Sequence, residues 1–374
     1  MLEVSVVIPT LDEEDSIGIC IEKIKKVFKE HNIGGEIIVS DSSMDRTPEI
    51  AKSAGAKVVT PDKRGYGYAY LYAFEHAKGE NIVIGDGDNT YDFSEIPKLL
   101  EPLEKEEADI VVGSRFKGEI KKGAMPWLHK YIGNPVLTGF LNLFFNARIS
   151  DAHSGLRAFK KEVLEKMNLK SSGMEFASEM MIEAVRQKLR IKEVPITYYP
   201  RGGESKLSSL SDGWRHLKYM LLLSPSFLYF IPGLVLFVFG LLVILLSYFH
   251  VNVGYTPGIH SMILGSLAVI VGYQIMCLGL FAGIYGKKHN LFDSNGITKF
   301  ISEHVSLERG ATAGLAIFLA GFAYSLHLLL NWASSGYRDL PMGGQDMIGF
   351  TLLVIGLQTI FFSFFLSMIG GGKE

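Results

Sequence analysis

The sequence is poor in cysteine and carries almost no net charge, and both absences exclude classes of protein. Of its 374 residues, only Cys20 and Cys277 are cysteines. Cys20 lies in a predicted amphipathic helix and Cys277 in an apolar stretch, so a disulfide framework is not expected. The formal net charge is -2, and no basic tail or dense stripe of Lys and Arg occurs. Binding of nucleic acid is therefore not expected either.

Two further signals are missing near the amino terminus. The first residues, MLEVSVVIPT, lack a basic region followed by a helical apolar run and a small-residue cleavage site. We therefore interpret them as a strand and expect no secretory signal. The motif GxGxxG does not follow this strand, which argues against a dinucleotide site.

Charged residues are frequent up to about Lys218 and become scarce in several stretches beyond it. The chain is also longer than a single hydrophobic core usually requires. We predict two units, residues 1–220 with soluble character and residues 221–374 in the membrane. Four nearly uncharged segments of the second unit are each long enough to cross about 30 Å of hydrocarbon. These predicted transmembrane helices cover about residues 225–249, 257–285, 311–332 and 347–369.

The basic residues of the connecting loops predict the orientation of these helices. The loop of residues 286–309 carries Lys287, Lys288, Lys299 and Arg309. Residues 250–260 contain no Lys or Arg, and residues 333–346 contain only Arg338. Because positively charged loops stay on the cytoplasmic side, we predict a multi-pass protein of the cell membrane whose first unit and two termini are cytoplasmic.

Short β-branched runs alternate with amphipathic stretches over the first 114 or so residues. The runs are Val4 to Ile8, Ile37 to Val39, Lys57 to Val59, Asn81 to Ile84 and Asp109 to Val112. This alternation is typical of right-handed βαβ units. We predict an α/β fold with a doubly wound, mostly parallel sheet, followed by an all-α transmembrane domain of four helices. Ligands of such sheets bind beyond the carboxyl ends of the strands.

Two acidic residues, Asp86 and Asp88, follow the fourth run in the stretch GDGDNT. Two carboxylates one residue apart at a strand end can face a single pocket. Mg²⁺ and Mn²⁺ bind through one or two carboxylates and complete their shells with water and phosphate oxygens. We therefore predict a divalent metal site, Mg²⁺ or Mn²⁺, on this pair. The alternative is an ordinary turn, because Asp, Gly and Asn favour turns for backbone reasons alone.

Seven short stretches of the first unit carry a family resemblance. They are SVVIPTLDEE from Ser5, IIVSDSSMD from Ile37, RGYG from Arg64, DGD from Asp86, GSRF from Gly113, DAHSGLRAF from Asp151 and EVPI from Glu193. In this order they resemble the family 2 glycosyltransferases, specifically the dolichyl-phosphate or polyprenyl-phosphate hexose synthases. The co-occurrence of several ordered motifs is far more specific than any one of them.

The resemblance implies a glycosyltransferase A fold and a donor site at its strand ends. The implied nucleotide-binding residues are Pro9, Thr10, Glu13, Asp41, Arg64 and Asp86. Asp41 would accept a hydrogen bond from the base, although an Asp in such a loop is also a common helix cap. Asp86 would face the ribose or a metal-bound water, and Asp88 would ligate the cation that bridges the diphosphate.

An acceptor that is a lipid phosphate needs cations more than a strong base, because its second pKa of about 6 leaves it largely anionic. The implied lipid-phosphate residues are Arg115, Arg157, Arg201, Ser205 and Lys206, and the implied catalytic residues are Asp88, Arg115, Arg201 and Glu179. Each cation has an ordinary alternative as a solvated surface charge. Arg157 has a second alternative as the partner of Asp151 in a structural ion pair, and Glu179 could simply line the acceptor pocket.

Two aromatic segments are candidates for contact with the membrane surface. Residues 127–145 have a broad apolar face, and Trp214, Leu217, Met220 and Leu221 recur at helical spacing just before the first predicted span. The alternative for the first segment is a helix of the soluble core.

The predicted reaction is direct, inverting transfer of a hexose, glucose or mannose, from a UDP- or GDP-linked sugar to polyprenyl or dolichyl phosphate. One rival is a processive polysaccharide synthase, although the acceptor motif QxxRW of that group is absent. A second rival is a non-catalytic nucleotide-sugar or lipid-binding protein, or a flippase, although spans with so little charge favour an anchor. The sequence does not distinguish the two sugars, and it does not predict an oligomeric state.

Overall fold

The computed structural model of the chain describes residues 2–202, 209–289, 291, 299–300, 304, 306–338 and 343–370. The chain divides into two compact units, Met1–Met220 and Leu221–Glu374.

A seven-stranded sheet forms the centre of the first unit. Its strands are β1 (Val4–Thr10), β2 (Gly35–Asp41), β3 (Lys57–Val59), β4 (Asn81–Ile84), β5 (Ile110–Ile120), β6 (Arg157–Lys160) and β7 (Ile191–Tyr198). Their order across the sheet is β3-β2-β1-β4-β6-β5-β7. β1 pairs in parallel with β2 and β4, whereas β6 runs antiparallel to both β4 and β5. The predicted doubly wound, mostly parallel sheet is confirmed.

The residue types of each strand explain which strands could be predicted from the sequence. Val6, Val7 and Ile8 of β1 are fully buried, as expected for a central parallel strand covered on both faces. The five predicted runs correspond to β1 through β5. β6 and β7 were not predicted. β6 has only four residues and begins and ends with Arg157 and Lys160, and β7 contains Lys192, Glu193 and Pro195, which weaken a strand pattern.

Eight helices in the described part of the first unit surround this sheet or follow it. They are α1 (Ile17–Glu30), α2 (Thr47–Ser53), α3 (Tyr66–Phe74), α4 (Ile96–Glu104), α5 (Asn134–Phe145), α6 (Glu162–Lys166), α7 (Phe176–Arg186) and α8 (Ser209–Leu222). α1 shows how they pack: Ile17, Cys20, Ile21, Ile24 and Val27 are buried at three- and four-residue spacing. This stripe of one helix face covers the sheet. The last two residues of α8 belong to the second unit.

The second unit contains four long helices that are apolar enough to cross a membrane. They are α9 (Ile231–Tyr248), which continues a π-helical turn at Ser226–Phe230, α10 (Ile259–Lys288), α11 (Leu307–Ser334) and α12 (Gly344–Gly370). α9 packs on α10, and α11 packs on α12. The close approach of α9 and α10 depends on glycine, since a Cβ on Gly240 of α9 would lie 2.6 Å from the carbonyl oxygen of Gly265 of α10. The predicted four-helix transmembrane domain is confirmed, and the chain is a membrane protein.

Candidate active site

The ends of β1 and β2 bring two of the predicted donor residues into contact. Thr10 and Asp41 are partners in the parallel register. The hydroxyl of Thr10 donates to Oδ1 of Asp41 at 2.8 Å, and the hydroxyl of Ser43 donates to the same oxygen at 2.6 Å. Asp41 is buried, and among the described residues only the backbone N–H of Ser43, at 3.3 Å, donates to its Oδ2. Oδ2 therefore retains capacity to accept from a ligand.

The loop after β1 carries Glu13, and the strand itself carries Pro9 opposite Ser40. The backbone N–H of Glu13 donates to the hydroxyl of Thr47 at 2.8 Å, which fixes the loop against the start of α2. The Glu13 carboxylate is bonded by the guanidinium of Arg201. This bond connects Glu13, which follows β1, with Arg201, which follows β7.

The acidic pair is held by two different neighbours at the end of β4. Oδ1 of Asp86 accepts from the hydroxyl of Tyr66 at 2.9 Å. Oδ1 of Asp88 accepts from the backbone N–H of Thr90 at 3.0 Å and from its hydroxyl at 2.6 Å. Hydrogen bonds from the described residues thus hold each of the two carboxylates through its Oδ1.

The electrostatic state of the pair differs from that of ordinary carboxylates. Burial, together with the charge of neighbouring Asp88, raises the pKa of Asp86 to about 7, although the hydrogen bond from Tyr66 works in the opposite direction. Two carboxylates this close disfavour each other's charged form. A bound cation would relieve that cost.

The donor set fits a hard divalent cation that is shared with a substrate. Within the part of the chain that the structure describes, no group of three or more His, Cys, Asp or Glu residues could hold a metal by itself. Mg²⁺ and Mn²⁺ in phosphate-transferring sites commonly use one or two carboxylates and take their other ligands from phosphate and water. Asp86 and Asp88 supply such a partial set.

Arg201 lies beside this pair. Its Nη1 is 3.4 Å from Oδ2 of Asp88, and its Nη2 bonds the carboxylate of Glu13. Its Nε is buried and has no hydrogen-bond partner among the described residues. Arg201 follows β7, and the structure therefore brings the ends of β1, β4 and β7 together through one guanidinium.

Arg115 is buried and committed to Asp151. Its Nε and Nη2 each donate to the Asp151 carboxylate at 2.8 Å, and its backbone N–H donates at 3.0 Å. The guanidinium also lies over the ring of Tyr198, 5.2 Å from its centroid. This bidentate pair fixes the plane of Arg115. Its contact with a lipid phosphate stays a prediction.

The alternative pairing of Asp151 with Arg157 is wrong. Asp151 bonds Arg115 instead, while the guanidinium of Arg157 turns back over the preceding turn. Its Nε, Nη1 and Nη2 donate to the backbone carbonyls of Ser154, Ala177 and Ala152 at 2.9, 3.0 and 2.8 Å. Arg157 is 1% exposed, and its three nitrogens are satisfied by two carbonyls of the preceding turn and one carbonyl at the start of α7. The structure does not bring it to the acidic pair.

Glu179 connects α7 with a loop and with α8. Its carboxylate accepts from the backbone N–H of Lys170 at 3.0 Å and of Ser171 at 2.8 Å, and from the hydroxyl of Tyr219 at 3.0 Å. The same loop accepts the backbone N–H of Tyr68, through the carbonyl of Ser172, at 3.1 Å. These bonds give Glu179 a positioning role for the start of α3.

The other predicted site residues are less closely connected. Arg64 is exposed and forms no ion pair with any described residue. Ser205 and Lys206 lie outside the described residues.

Two positioning residues were missed from the sequence, Tyr66 and Gly155. Tyr66 holds Asp86 directly, as described above. A Cβ on Gly155 would lie 2.6 Å from Oδ2 of Asp86 and 3.1 Å from the ring of Tyr91, and its N–H donates to the Tyr91 hydroxyl at 2.7 Å. Tyr66 lies in the stretch RGYG and Gly155 in the stretch DAHSGLRAF. Their place in these family motifs is the sequence feature that could have identified them.

Comparison with known proteins adds to this geometry. The sequence model described as glycosyl transferase family 2 matches residues 5–167, and the one described as the glycosyltransferase family 2 C-terminal transmembrane region matches residues 280–370. A low-salt glycan biosynthesis hexosyltransferase of Haloferax volcanii is 48% identical over 367 residues, which are 98% of this chain and 89% of that protein.

A second relative and a solved structure extend the comparison. A dolichyl-phosphate hexose transferase of the same organism is 33% identical over 214 residues, covering 56% of this chain and 89% of that protein. The crystal structure of a mycobacterial protein superposes with a TM-score of 0.50 at 22% identity, over 59% of this chain and 74% of that one. The last likeness concerns the fold alone.

Proposed function

Because the chain belongs to glycosyl transferase family 2, as its 48% identity over nearly its whole length to a family hexosyltransferase establishes, we propose that it transfers a hexose from a nucleotide sugar to polyprenyl or dolichyl phosphate with inversion. One observation carries the donor half of this proposal. Asp86 and Asp88 stand at the end of β4, each held by hydrogen bonds through one oxygen, and the second oxygen of Asp88 lies 3.4 Å from Nη1 of Arg201. The acceptor half draws on a relative that transfers hexose to dolichyl phosphate.

The donor would bind along the carboxyl ends of β1, β2 and β4. Asp41, fixed by the hydroxyls of Thr10 and Ser43, would accept from the base, and Pro9 and Arg64 would line the nucleotide. Asp86 and Asp88 would hold Mg²⁺ or Mn²⁺. When bound, the cation would neutralise the charge that develops on the departing nucleoside diphosphate.

Residues of the chain would align the lipid phosphate for attack on the sugar. An anionic phosphate oxygen attacks the anomeric carbon from the face opposite the leaving group, so no covalent intermediate is needed. Arg201 and Arg115, together with Ser205 and Lys206, would hold the lipid phosphate. Catalysis would then consist of positioning and charge stabilisation.

The proposal also includes the arrangement at the membrane. The first unit and both termini would be cytoplasmic, since the basic loop of residues 286–309 favours that side. Trp127, Tyr131 and Leu143 are 66, 60 and 61% exposed. Lys121, Lys122 and Lys130 accompany them in the sequence. A surface that combines aromatic and basic side chains suits a lipid interface, and we assign residues 127–145 to it.

The experiment is incorporation of label from UDP-glucose or GDP-mannose into membranes that contain the full chain and polyprenyl phosphate. A labelled lipid that mild acid cleaves is expected with one of the two donors. Chelation of divalent ions with EDTA should abolish its formation, and Mn²⁺ or Mg²⁺ should restore it. A long polymer would instead identify a polysaccharide synthase, and no product with either donor would favour a binding protein.

A further inference from the structure

We propose that Arg201 holds the place of the divalent cation in the nucleotide-free protein, so that the cation binds tightly only together with the diphosphate of the donor. The inference rests on the metal site of the proposed function and adds an order of binding to it. It assigns to Arg201 a task that precedes any contact with the acceptor.

The geometry places Arg201 on the one oxygen of Asp88 that a cation could use. Oδ1 of Asp88 already accepts two hydrogen bonds from Thr90. Oδ2 is left, and Nη1 of Arg201 is 3.4 Å from it. Nη2 of the same guanidinium bonds Glu13. One positive charge thus lies between two carboxylates, the position that an incoming cation would also favour.

Guanidinium and cation cannot share this position. A Mg²⁺ or Mn²⁺ ion bound to Oδ2 of Asp88 at about 2.1 Å would lie within a few ångströms of Arg201, where like charges repel strongly. Arg201 must therefore leave before the cation is bound stably. Its departure also leaves Glu13 without this partner, which adds to the cost of binding the cation alone.

The diphosphate of the donor changes this balance. It supplies anionic oxygens to the cation, and it offers the displaced guanidinium a new partner, since Arg binds phosphate with its fork of N–H donors. The displaced charge would remain next to the reaction centre. Cation and donor should consequently bind with strong mutual enhancement.

A comparison with Arg115 indicates that Arg201 is the more releasable of the two arginines. Arg115 uses Nε and Nη2 on a single carboxylate, that of Asp151, in a planar bidentate pair. Arg201 divides its contacts between two carboxylates, and its buried Nε has no partner among the described residues. A buried donor that is left unpaired lowers the stability of an arrangement. Displacement of Arg201 therefore costs less free energy than displacement of Arg115 would.

The test is titration of the purified full chain with Mn²⁺ alone, followed by the electron paramagnetic resonance signal of free Mn²⁺. Arg201→Gln should bind Mn²⁺ at least about tenfold more tightly than the wild type, because one adjacent positive charge is gone. Arg201→Lys keeps the positive charge, and its affinity for Mn²⁺ should stay within about threefold of the wild-type affinity. Arg190→Gln is the matched control, since Arg190 pairs with Asp109 at the amino end of β5, and its Mn²⁺ affinity should be unchanged.

Repetition with UDP or GDP present, corrected for Mn²⁺ that the nucleotide binds by itself, completes the test. Wild-type affinity for Mn²⁺ should rise at least about tenfold, and the advantage of Arg201→Gln should shrink. Unchanged or weaker Mn²⁺ binding by Arg201→Gln would overturn the inference while leaving the metal site intact. Equal wild-type affinities with and without nucleotide would also overturn it, even if the Gln variant does not fold. A wild type that binds no Mn²⁺ with either nucleotide would instead refute the metal site itself.

Discussion

Asp109 and Asp86 lie at opposite ends of the strands of the seven-stranded sheet, and their surroundings shift their pKa values in opposite directions. At the amino end of β5, Asp109 accepts from the backbone N–H, Nε and Nη2 of Arg190 at 2.8, 3.1 and 2.8 Å, and these bonds lower its pKa. At the carboxyl end of β4, burial and the charge of Asp88 raise the pKa of Asp86 to about 7. Asp109 is satisfied by Arg190, whereas the charged form of Asp86 is disfavoured and would be stabilised by a cation.

The difference indicates where stability and function reside. A satisfied ion pair adds modestly to stability, particularly when it is partly exposed. A pair of carboxylates held close together costs free energy unless a ligand compensates for it. The carboxyl end is also the edge where parallel α/β sheets bind their ligands. Variants at the two ends should therefore have opposite consequences for activity and stability.

The largest effect is expected from Asp88→Asn. Loss of this carboxylate would remove a proposed ligand of the cation that is proposed to stabilise the leaving diphosphate, and transfer should fall about a thousandfold. Formation of the acid-labile glycolipid measures it. Asp109→Asn is the matched control at the other end of the sheet, and it should keep activity within about twofold of the wild type. Equal losses of transfer activity in the two variants would contradict the assignment of function to the carboxyl end of the sheet.

A smaller effect is expected from Tyr66→Phe. The variant keeps the ring, which packs edge-on against Tyr70 with 5.1 Å between centroids, but it loses the hydroxyl that fixes Asp86. Removal of an outer partner of this kind typically costs about tenfold or more in metal affinity or activity. Glycolipid formation and Mn²⁺ affinity should both fall.

Tyr68→Phe is the control for this prediction, because Tyr68 lies two residues further along α3 and its hydroxyl donates to the exposed Asp62. Its activity should be unchanged. If Tyr66→Phe also had full activity, the Asp86 carboxylate would need no orientation by Tyr66.

The smallest effect is a dependence of stability on pH at the amino end. The folded-state pKa of Asp109 is below its unfolded value, so its contribution is present at neutral pH and is lost as the pH falls toward the folded pKa. For a partly exposed pair the contribution is about 0.5 kcal/mol. The apparent melting temperature of Asp109→Asn should be slightly below that of the wild type at pH 7, and the two should converge as the pH falls through the lowered pKa of Asp109. A constant difference at all pH values would assign the effect to packing.

Much of the fold and the centre of the site could be predicted from the sequence, for local reasons. Valine- and isoleucine-rich runs identify the buried parallel strands because burial on both faces demands them. Asp86 and Asp88 are recognisable because they follow such a run directly. The transmembrane helices are recognisable because hydrocarbon excludes charge over their whole length.

The pairings within the site could not be predicted, since they depend on contacts distant in sequence. An ion pair of Asp151 with Arg157, six residues away, was one alternative from the sequence, but Asp151 bonds Arg115, which approaches it through the pairing of β5 with β6 in the sheet. Tyr66 reaches Asp86 across 20 residues through the placement of α3. The partnership of Arg201 with Glu13 joins the two extremes of the first unit.

The most direct test of the central claim is nucleotide binding to the full chain with and without Mn²⁺, measured by isothermal titration calorimetry with UDP and GDP for the wild type and Asp88→Asn. The wild type should bind one of the two nucleotides at least about tenfold more tightly when Mn²⁺ is present. In Asp88→Asn this enhancement should disappear. An Asp88→Asn variant that retains the full Mn²⁺ enhancement would contradict the claim that the acidic pair at the end of β4 holds the cation.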